Sequence, residues 1–315
     1  MRMTARAFWT VAPGRGEIRE ESLAGLTGTY VETLASGISR GTEATVFAGR
    51  VPANQYAVMA APLMAGTLPF PVKYGYSAVG RTEAGQRVFV LHPHQDRFIA
   101  PPAMCIAVPD TVPTERAVLA ANMETALNIL WDARPLLGER ILVIGAGVVG
   151  LLVASLCARL PQACVTVVDI NPDRAALVGA LGARFATPDA APREQELIVH
   201  ASASEAGLRL ALACAAFEAR IVEASWFGDT TPSLPLGEAF HQRRLQLISS
   251  QVGSVAQAMR GRRDYAARLG HALTLLDDPA LDALVQSRTH FESLPERMPQ
   301  LLAGGLCHVV TYGDL

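Results

Sequence analysis

Cysteine is scarce in this chain, and the few present are scattered. Cys105, Cys157, Cys164, Cys214 and Cys307 include no C-x-x-C pair. That spacing argues against a disulfide scaffold and reads as buried free thiols in a reducing cytoplasm. Charge of one sign is lacking as well: 27 basic and 29 acidic residues leave a net charge of −2 with no long single-sign block. Such a balance gives no ground for nucleic acid or an anionic membrane as partner. Lysine occurs once, at Lys73, and arginine carries the remaining positive charge, a bias that says more about base composition than about function. The start, Met1-Arg2-Met3-Thr4-Ala5-Arg6, lacks the apolar core and cleavage site of a signal peptide, so the expectation is a cytoplasmic protein. One uncharged run, Ile141 to Ala158, reaches the eighteen residues of a minimal membrane span. Its glycines and β-branched start argue against a continuous helix.

What is present is apolar and long. Half of the 315 residues are hydrophobic, enough for a large core, and the length suggests two domains. From Thr4 to about Pro113, short β-like runs at Arg6–Val11, Tyr30–Leu34, Val79–Thr82 and Arg87–Leu91 are broken by glycine and proline. Gly41–Phe47 reads as a short helix, and Val51–Pro71 as a loop. Thr114 is placed to cap a helix, and Glu124–Asp132 continues as a second. Beyond Asp169, helices at Pro172–Leu181, Glu205–Ala215, Leu236–Gln242 and Tyr265–Leu276 alternate with strands at Glu196–His200, Ala219–Ala224 and Leu245–Ser250. That alternation predicts a parallel sheet covered on both faces, and the tail from Gln286 returns to strand, helix and strand.

The stretch Arg140–Gly182 carries the clearest chemistry. Ile141-Leu142-Val143-Ile144 leads into Gly145-Ala146-Gly147-Val148-Val149-Gly150, a helix-like run follows, and Val165-Thr166-Val167-Val168 ends on Asp169, nineteen residues after the last glycine. Gly145 suits a tight turn off the strand, Gly147 a close backbone approach to a pyrophosphate, and Gly150 close packing of helix on sheet. Backbone N–H groups of Val148, Val149 and their neighbours would face the phosphates at the positive end of the helix dipole. Asp169 would accept from the ribose hydroxyls and repel a 2′-phosphate, which favours NAD over NADP. A methyltransferase-type nucleotide site also uses a glycine turn and a strand-end acid.

The chain resembles the medium-chain dehydrogenase/reductase superfamily, the alcohol dehydrogenase-like group, over nearly its full length. The resemblance rests on Ser36-Gly37-Ile38-Ser39-Arg40-Gly41-Thr42-Glu43, Tyr74-Gly75-Tyr76-Ser77-Ala78-Val79-Gly80, Gly85-Gln86-Arg87-Val88, the glycine turn and Thr289-His290-Phe291. Gly41-Thr42-Glu43 and Glu124-Thr125-Ala126-Leu127-Asn128 are most similar to the bacteriochlorophyllide dehydrogenase branch. The implied fold is α/β: a Rossmann doubly wound parallel sheet, residues 119–285, inserted in a β-rich GroES-like catalytic domain formed by residues 1–118 and 286–315. Substrate would then bind in a cleft between domains, and a homodimer is the default.

Departures from the family pattern bear on chemistry. Zinc-dependent members carry cysteine where this chain has Ser39 and Gly-His-Glu where it has Gly75-Tyr76-Ser77. A third ligand position falls within Ala120–Glu124, where only Glu124 can bind metal, and the four-cysteine structural zinc loop is missing. The resemblance therefore implies a zinc-free member. His92-Pro93-His94 with Asp96 is the one dense cluster of ligand types, its two histidines facing one side if the segment is a strand. Without zinc, a carbonyl oxygen needs fixed hydrogen-bond donors. Tyr76, Thr42 and Ser39 match positions in the family's active-site cleft and are the catalytic candidates, for proton donation or substrate orientation; Arg40 is a candidate for the pyrophosphate, and Glu43 is expected as an ion-pair partner. On the nucleotide side, Ser202 follows a strand and would border the nicotinamide. Arg174 would lie over the adenine or stand as a solvated helix charge, and Trp226 with Phe227 would wall the substrate pocket or pack at the domain interface. The function expected is a zinc-independent oxidoreductase moving a hydride between NAD(H) and a small or medium alcohol, ketone or enone. The alternative is a dinucleotide-binding redox sensor or partner-binding protein without turnover.

Overall fold

The computed structural model describes residues 4–313. Two compact units divide the chain: residues up to Ala121 with those from Leu269 onward, and Asn122–Arg268. The sequence had suggested divisions after 118 and after 285.

The first unit is β-rich. Its strands are β1 (Thr4–Ala12), β2 (Arg15–Ser22), β3 (Thr29–Ile38), β4 (Ala65–Gly66), β5 (Val72–Lys73), β6 (Ala78–Thr82), β7 (Arg87–Val90), β8 (Arg97–Ala100) and β9 (Ile106–Ala107). Helices α1 (Arg40–Phe47) and α2 (Tyr56–Met59) interrupt them and α3 (Thr114–Ala117) follows, while α4 (Ala120–Ala133) passes into the second unit at Asn122. The expected loop over Val51–Pro71 thus holds α2 and β4. Thr114 does not cap α3. Pro113 takes the cap position without a side-chain bond, and the Thr114 hydroxyl instead accepts from Arg87 Nη1 at 3.3 Å.

The second unit runs β10 (Arg140–Ile144), α5 (Val148–Cys157), β11 (Cys164–Val168), α6 (Ala175–Ala180), β12 (Arg184–Ala186), β13 (Gln195–His200), α7 (Glu205–Cys214), β14 (Ala215–Glu223) and β15 (Gln246–Ser249). Helix α8 (Tyr265–Leu275) comes next, and β16 (Val285–His290), α9 (Leu294–Ala303) and β17 (Cys307–Thr311) complete the chain. The six strands of this unit form one parallel sheet in the order β12-β11-β10-β13-β14-β15. Counted from β10 that is 3-2-1-4-5-6, the doubly wound order whose direction reverses between β10 and β13. Ile141, Leu142 and Val143 are fully buried, as are Leu151 to Ala154 of α5. The uncharged run that could have been a membrane span is thus strand, turn and buried helix. Among the described residues no helix is long and apolar enough to cross a membrane.

In the first unit, β2-β1-β5-β4 form one sheet, and β16-β17-β3-β6-β7-β9 with β8 on β3 form a second. The tail enters this second sheet through β17, which pairs antiparallel with β3 from His308 opposite Ile38 to Thr311 opposite Ala35. Phe8, Ile38, Phe47, Phe291, Leu294, Met298 and Val310 make a buried cluster that joins the start and end of the chain.

Three further expectations change. Cys157, Cys214 and Cys307 are buried as free thiols, but Cys105 is half-buried and Cys164 is exposed. Leu236–Gln242 is not a regular helix: one irregular turn spans Leu236–Phe240, with Glu238 outside helical dihedrals after Pro235 and Gly237. Proline restricts the residue before it and glycine adds backbone freedom, so the apolar spacing alone misleads. His92 and His94 lie in the loop between β7 and β8, not on a strand. Pro93 between them has no N–H to donate to a ladder.

Candidate functional site

The second unit carries a turn built by three glycines with three different surroundings. Gly145 has φ +109°, and a Cβ there would stand 2.9 Å from the Ala201 carbonyl. Gly150 lies in the first turn of α5, and its Cβ would fall 2.0 Å from the Gly145 oxygen, inside any real contact distance. Gly147 is the N-cap of α5 with extended backbone, φ −76° and ψ 176°, and no side chain caps that end. A Cβ on Gly147 would meet nothing within 4 Å. Two glycines are therefore demanded by the protein's own packing and the third opens onto free space. The N–H groups of Val148, Val149 and Gly150 belong to the helix turn that has no intrahelical acceptors.

Asp169, at the end of β11, is held by two backbone donors. Its Oδ2 accepts from Ala146 N at 2.6 Å and its Oδ1 from Asn171 N at 2.8 Å. Each oxygen keeps a further lone pair for a ligand. The next residue, Ile170, is 87% exposed, an apolar surface beside the acid that sequence reasoning passed over. Arg174 ends a short 3₁₀ turn capped by Asn171 and is half-exposed.

At the ends of β13 and β14 lies a network absent from the sequence reading. Register pairs His200 with Glu223. His200 Nδ1 sits 2.6 Å from Glu223 Oε2, and its Nε2 lies 2.7 Å from Ser202 Oγ. Ser202 reaches Ser204 Oγ at 2.9 Å, and Glu223 Oε1 accepts from Ser225 N at 2.7 Å. Phe227 stacks near His200 with centroids 6.0 Å apart, while Trp226 is 37% exposed. The available signal was a polar residue closing each of two adjacent strands.

In the first unit the three sequence-selected polar residues come together. Tyr76 donates to Ser39 Oγ at 2.6 Å, and the Thr42 side chain also hydrogen bonds the phenol. Burial holds the Tyr76 phenol above its ordinary pKa, reinforced by the Glu43 charge and opposed by those two hydrogen bonds. Glu43 is 3% exposed. Its Oε1 accepts from Ser39 N at 2.7 Å and its Oε2 lies 3.0 Å from His94 Nε2. His94 Nδ1 reaches Ser36 Oγ at 2.7 Å, and Ser36 reaches the Tyr312 hydroxyl at 2.7 Å. Arg40 opens α1, half-exposed.

The remaining ligand-type residues serve packing. His92 stacks on Phe98 with centroids 3.7 Å apart, its Nδ1 bonds the Pro93 carbonyl, and burial pushes its pKa down to about 3. Asp96 accepts from Arg6 N at 2.8 Å and pairs with Arg97. Glu124 accepts from Arg268 Nε at 3.0 Å, with Arg268 itself 2% exposed and also bonded to Asn128. Among the described residues no group of three or more His, Cys, Asp or Glu side chains is placed to hold a metal ion.

Residues 135–234 match the family model of the alanine dehydrogenase/PNT C-terminal domain. A zinc-type alcohol dehydrogenase-like protein of Haemophilus influenzae is 29% identical over 172 residues, covering 49% of this chain and 50% of that protein. The matched region thus spans half the length of that relative. Among solved structures, a short chain alcohol dehydrogenase from E. coli CFT073 complexed with NADH superposes with TM-score 0.79 at 16% identity, covering 98% of this chain and 100% of that one. A protein from Sinorhizobium meliloti 1021 solved bound to NADP gives TM-score 0.77 at 13% identity, with coverage 98% and 100%. At these identities the likeness to the solved structures is one of fold.

Proposed function

Because this chain belongs to the medium-chain dehydrogenase/reductase superfamily, among its alcohol dehydrogenase-like members, we propose that it is an oxidoreductase acting on a small or medium organic alcohol or ketone with a nicotinamide dinucleotide. The observation that carries this is the glycine turn, where Gly145 and Gly150 are sterically required by neighbouring backbone while Gly147 faces open space above a helix N-terminus. That is the cradle a pyrophosphate needs: backbone that can be approached closely, with N–H groups and a positive dipole end directed at it. When bound, the nicotinamide supplies or takes the hydride. Asp169 holds the adenosine ribose through its remaining lone pairs, and its charge favours NAD(H) over NADP(H).

Tyr76, with Ser39 and Thr42, is assigned to proton donation or substrate orientation. Desolvation keeps its phenol neutral, and Ser39 and Thr42 fix its orientation. A fixed neutral donor aimed at a developing alkoxide lowers the barrier without reorganising at the moment of reaction. The family's catalytic zinc does not suit these donors. Ser39 and Tyr76 offer a hydroxyl and a phenol hydrogen-bonded to each other, and Glu124 is committed to buried Arg268. Zinc takes thiolate, imidazole or carboxylate in a tetrahedral set, so no step is assigned to it. A homodimer is proposed through β15, an edge strand of the parallel sheet whose Leu247 is 40% exposed. Light scattering on the purified protein tests that.

Fluorescence titration with NADH and NADPH tests the cofactor reading, alongside a turnover panel of secondary alcohols, ketones, aldehydes, enones and quinones. Charge-assisted hydrogen bonds contribute roughly 1.5–3 kcal/mol, so NADH should bind about tenfold to a hundredfold more tightly than NADPH. Asp169→Ser should narrow that gap, and Asp173→Ser should leave it. Tighter NADPH binding by the unaltered protein would overturn the role of Asp169, and binding without turnover across the panel would make the protein a dinucleotide sensor.

A further inference from the structure

The His200 network runs in one direction when the imidazole carries its proton on Nδ1. A carboxylate only accepts, so the His200 Nδ1 proton points to Glu223 Oε2 across 2.6 Å. In the tautomer that carries its proton on Nδ1 alone, Nε2 is the acceptor and the Ser202 hydroxyl donates to it at 2.7 Å. Gly207 N donates to Ser204 Oγ at 3.1 Å, which leaves the Ser204 hydrogen for Ser202 at 2.9 Å. In that tautomer every proton on Ser202 and its partners is committed. Ser202 is left able only to accept, through one lone pair, while its residue stays half-exposed.

The loop bearing Ser202 is braced to keep this arrangement. Ala203 has φ +51°, a left-handed value costly for a residue with a Cβ. Its N–H donates to Ser225 Oγ at 3.0 Å, and Ser225 N is in turn gripped by Glu223 at 2.7 Å. Glu223 therefore fixes both the imidazole and the strained loop. Gly207 in the first turn of α7 makes the space, since a Cβ there would fall 2.4 Å from Ser202 Oγ and 2.7 Å from His200 Nε2. On its other side the loop abuts the glycine turn, where a Cβ on Gly145 would lie 3.0 Å from Ser202 N.

Strand order then says which part of a ligand arrives. In β12-β11-β10-β13-β14-β15 the ribose-binding acid ends β11, the pyrophosphate turn follows β10, and Ser202 follows β13 on the opposite side of that turn. A dinucleotide laid across these strand ends brings its second nucleoside to β13. Resting on the dinucleotide reading above, we propose that His200 and Glu223 are positioning residues that hold the Ser202 hydroxyl as a hydrogen-bond acceptor for a donor on the nicotinamide riboside half.

The test compares NADH with ADP, which lacks that half, by calorimetric titration of the wild type, Ser202→Ala, Ser202→Thr, His200→Asn and the Ser202→Ala/His200→Asn double variant. Ser202→Ala and His200→Asn should each weaken NADH about tenfold. The double variant should lose no more than either single, because both act through one bond. Ser202→Thr keeps an acceptor oxygen and should retain affinity, and ADP affinity should be unchanged throughout. In ¹⁵N-histidine NMR spectra the His200 Nε2 signal should move on adding NADH and stay on adding ADP. Unchanged NADH affinity in Ser202→Ala, equal losses for NADH and ADP, or additive losses would each overturn the positioning role while leaving dinucleotide binding in place. A wild type that binds neither compound would overturn the dinucleotide reading and this inference with it.

Discussion

Replacing Gly147 and Gly150 separately by alanine distinguishes a glycine kept for a ligand from one kept for the fold. At Gly150 the added methyl would lie 2.0 Å from the Gly145 oxygen, 3.2 Å from its carbonyl carbon and 3.4 Å from Val143 Cγ1. Two of those atoms are backbone, so relief requires moving α5 off the sheet. Overpacking of this kind costs about 1–3 kcal/mol, which lowers the melting temperature of a domain of this size by roughly 3–10 °C. At Gly147 the methyl meets nothing and the dihedrals suit any residue. Alanine caps a helix less well than glycine but restricts the unfolded chain, two small opposing effects that leave stability within about 0.5 kcal/mol. The same methyl stands where a pyrophosphate oxygen must approach, displacing charge-assisted bonds of roughly 1.5–3 kcal/mol, so NADH should bind about tenfold to a hundredfold more weakly. Thermal unfolding without ligand and fluorescence titration with NADH read the two effects independently. Gly147→Ala with undiminished NADH affinity would refute the turn as a pyrophosphate cradle, and Gly150→Ala with an unchanged melting temperature would refute the packing argument.

Three other outcomes are expected. His92 is buried neutral with its pKa pushed down to about 3, so the unfolded chain binds its proton more readily between about pH 3 and 6.5. The stability it contributes is complete above pH 6.5 and is lost as pH falls, by about 2 kcal/mol at pH 5. Urea unfolding across that range should show the loss, and His92→Phe should flatten it; equal slopes in the two proteins would remove His92 as the cause. Glu124→Leu leaves Arg268 charged, 2% exposed and without its carboxylate, and should destabilise by about 3–5 kcal/mol in urea titrations. A change under 1 kcal/mol would show that Arg268 relaxes to water. Protein purified without chelator should carry well under one zinc per chain by elemental analysis, with NADH binding insensitive to EDTA. Stoichiometric zinc removed together with activity would overturn the zinc-independent reading.

The parts of this protein legible in the sequence are those whose physics is local. A β-branched run, glycines at fixed offsets, a helix and a strand-end acid announce β10, α5 and β11 because turn geometry and strand preference act over a few residues. The alternation after Asp169 likewise predicts a parallel sheet, and the tail's strand, helix and strand are β16, α9 and β17. Where proline and glycine break the pattern, as at Leu236–Phe240 and around Pro93, the periodicity misleads. Tyr76, Ser39 and Thr42 were selected by resemblance, but only folding shows the phenol bonded to the two hydroxyl residues. Partners distant in sequence were invisible. Glu43 and His94 are 51 residues apart, Glu124 and Arg268 are 144 apart, and His200 and Glu223 meet only because β13 and β14 pair in that register. Nothing in a run of residues encodes which strand end will lie beside it. Register and sheet order decide that, and they turn a strand-end histidine into the holder of a serine hydroxyl.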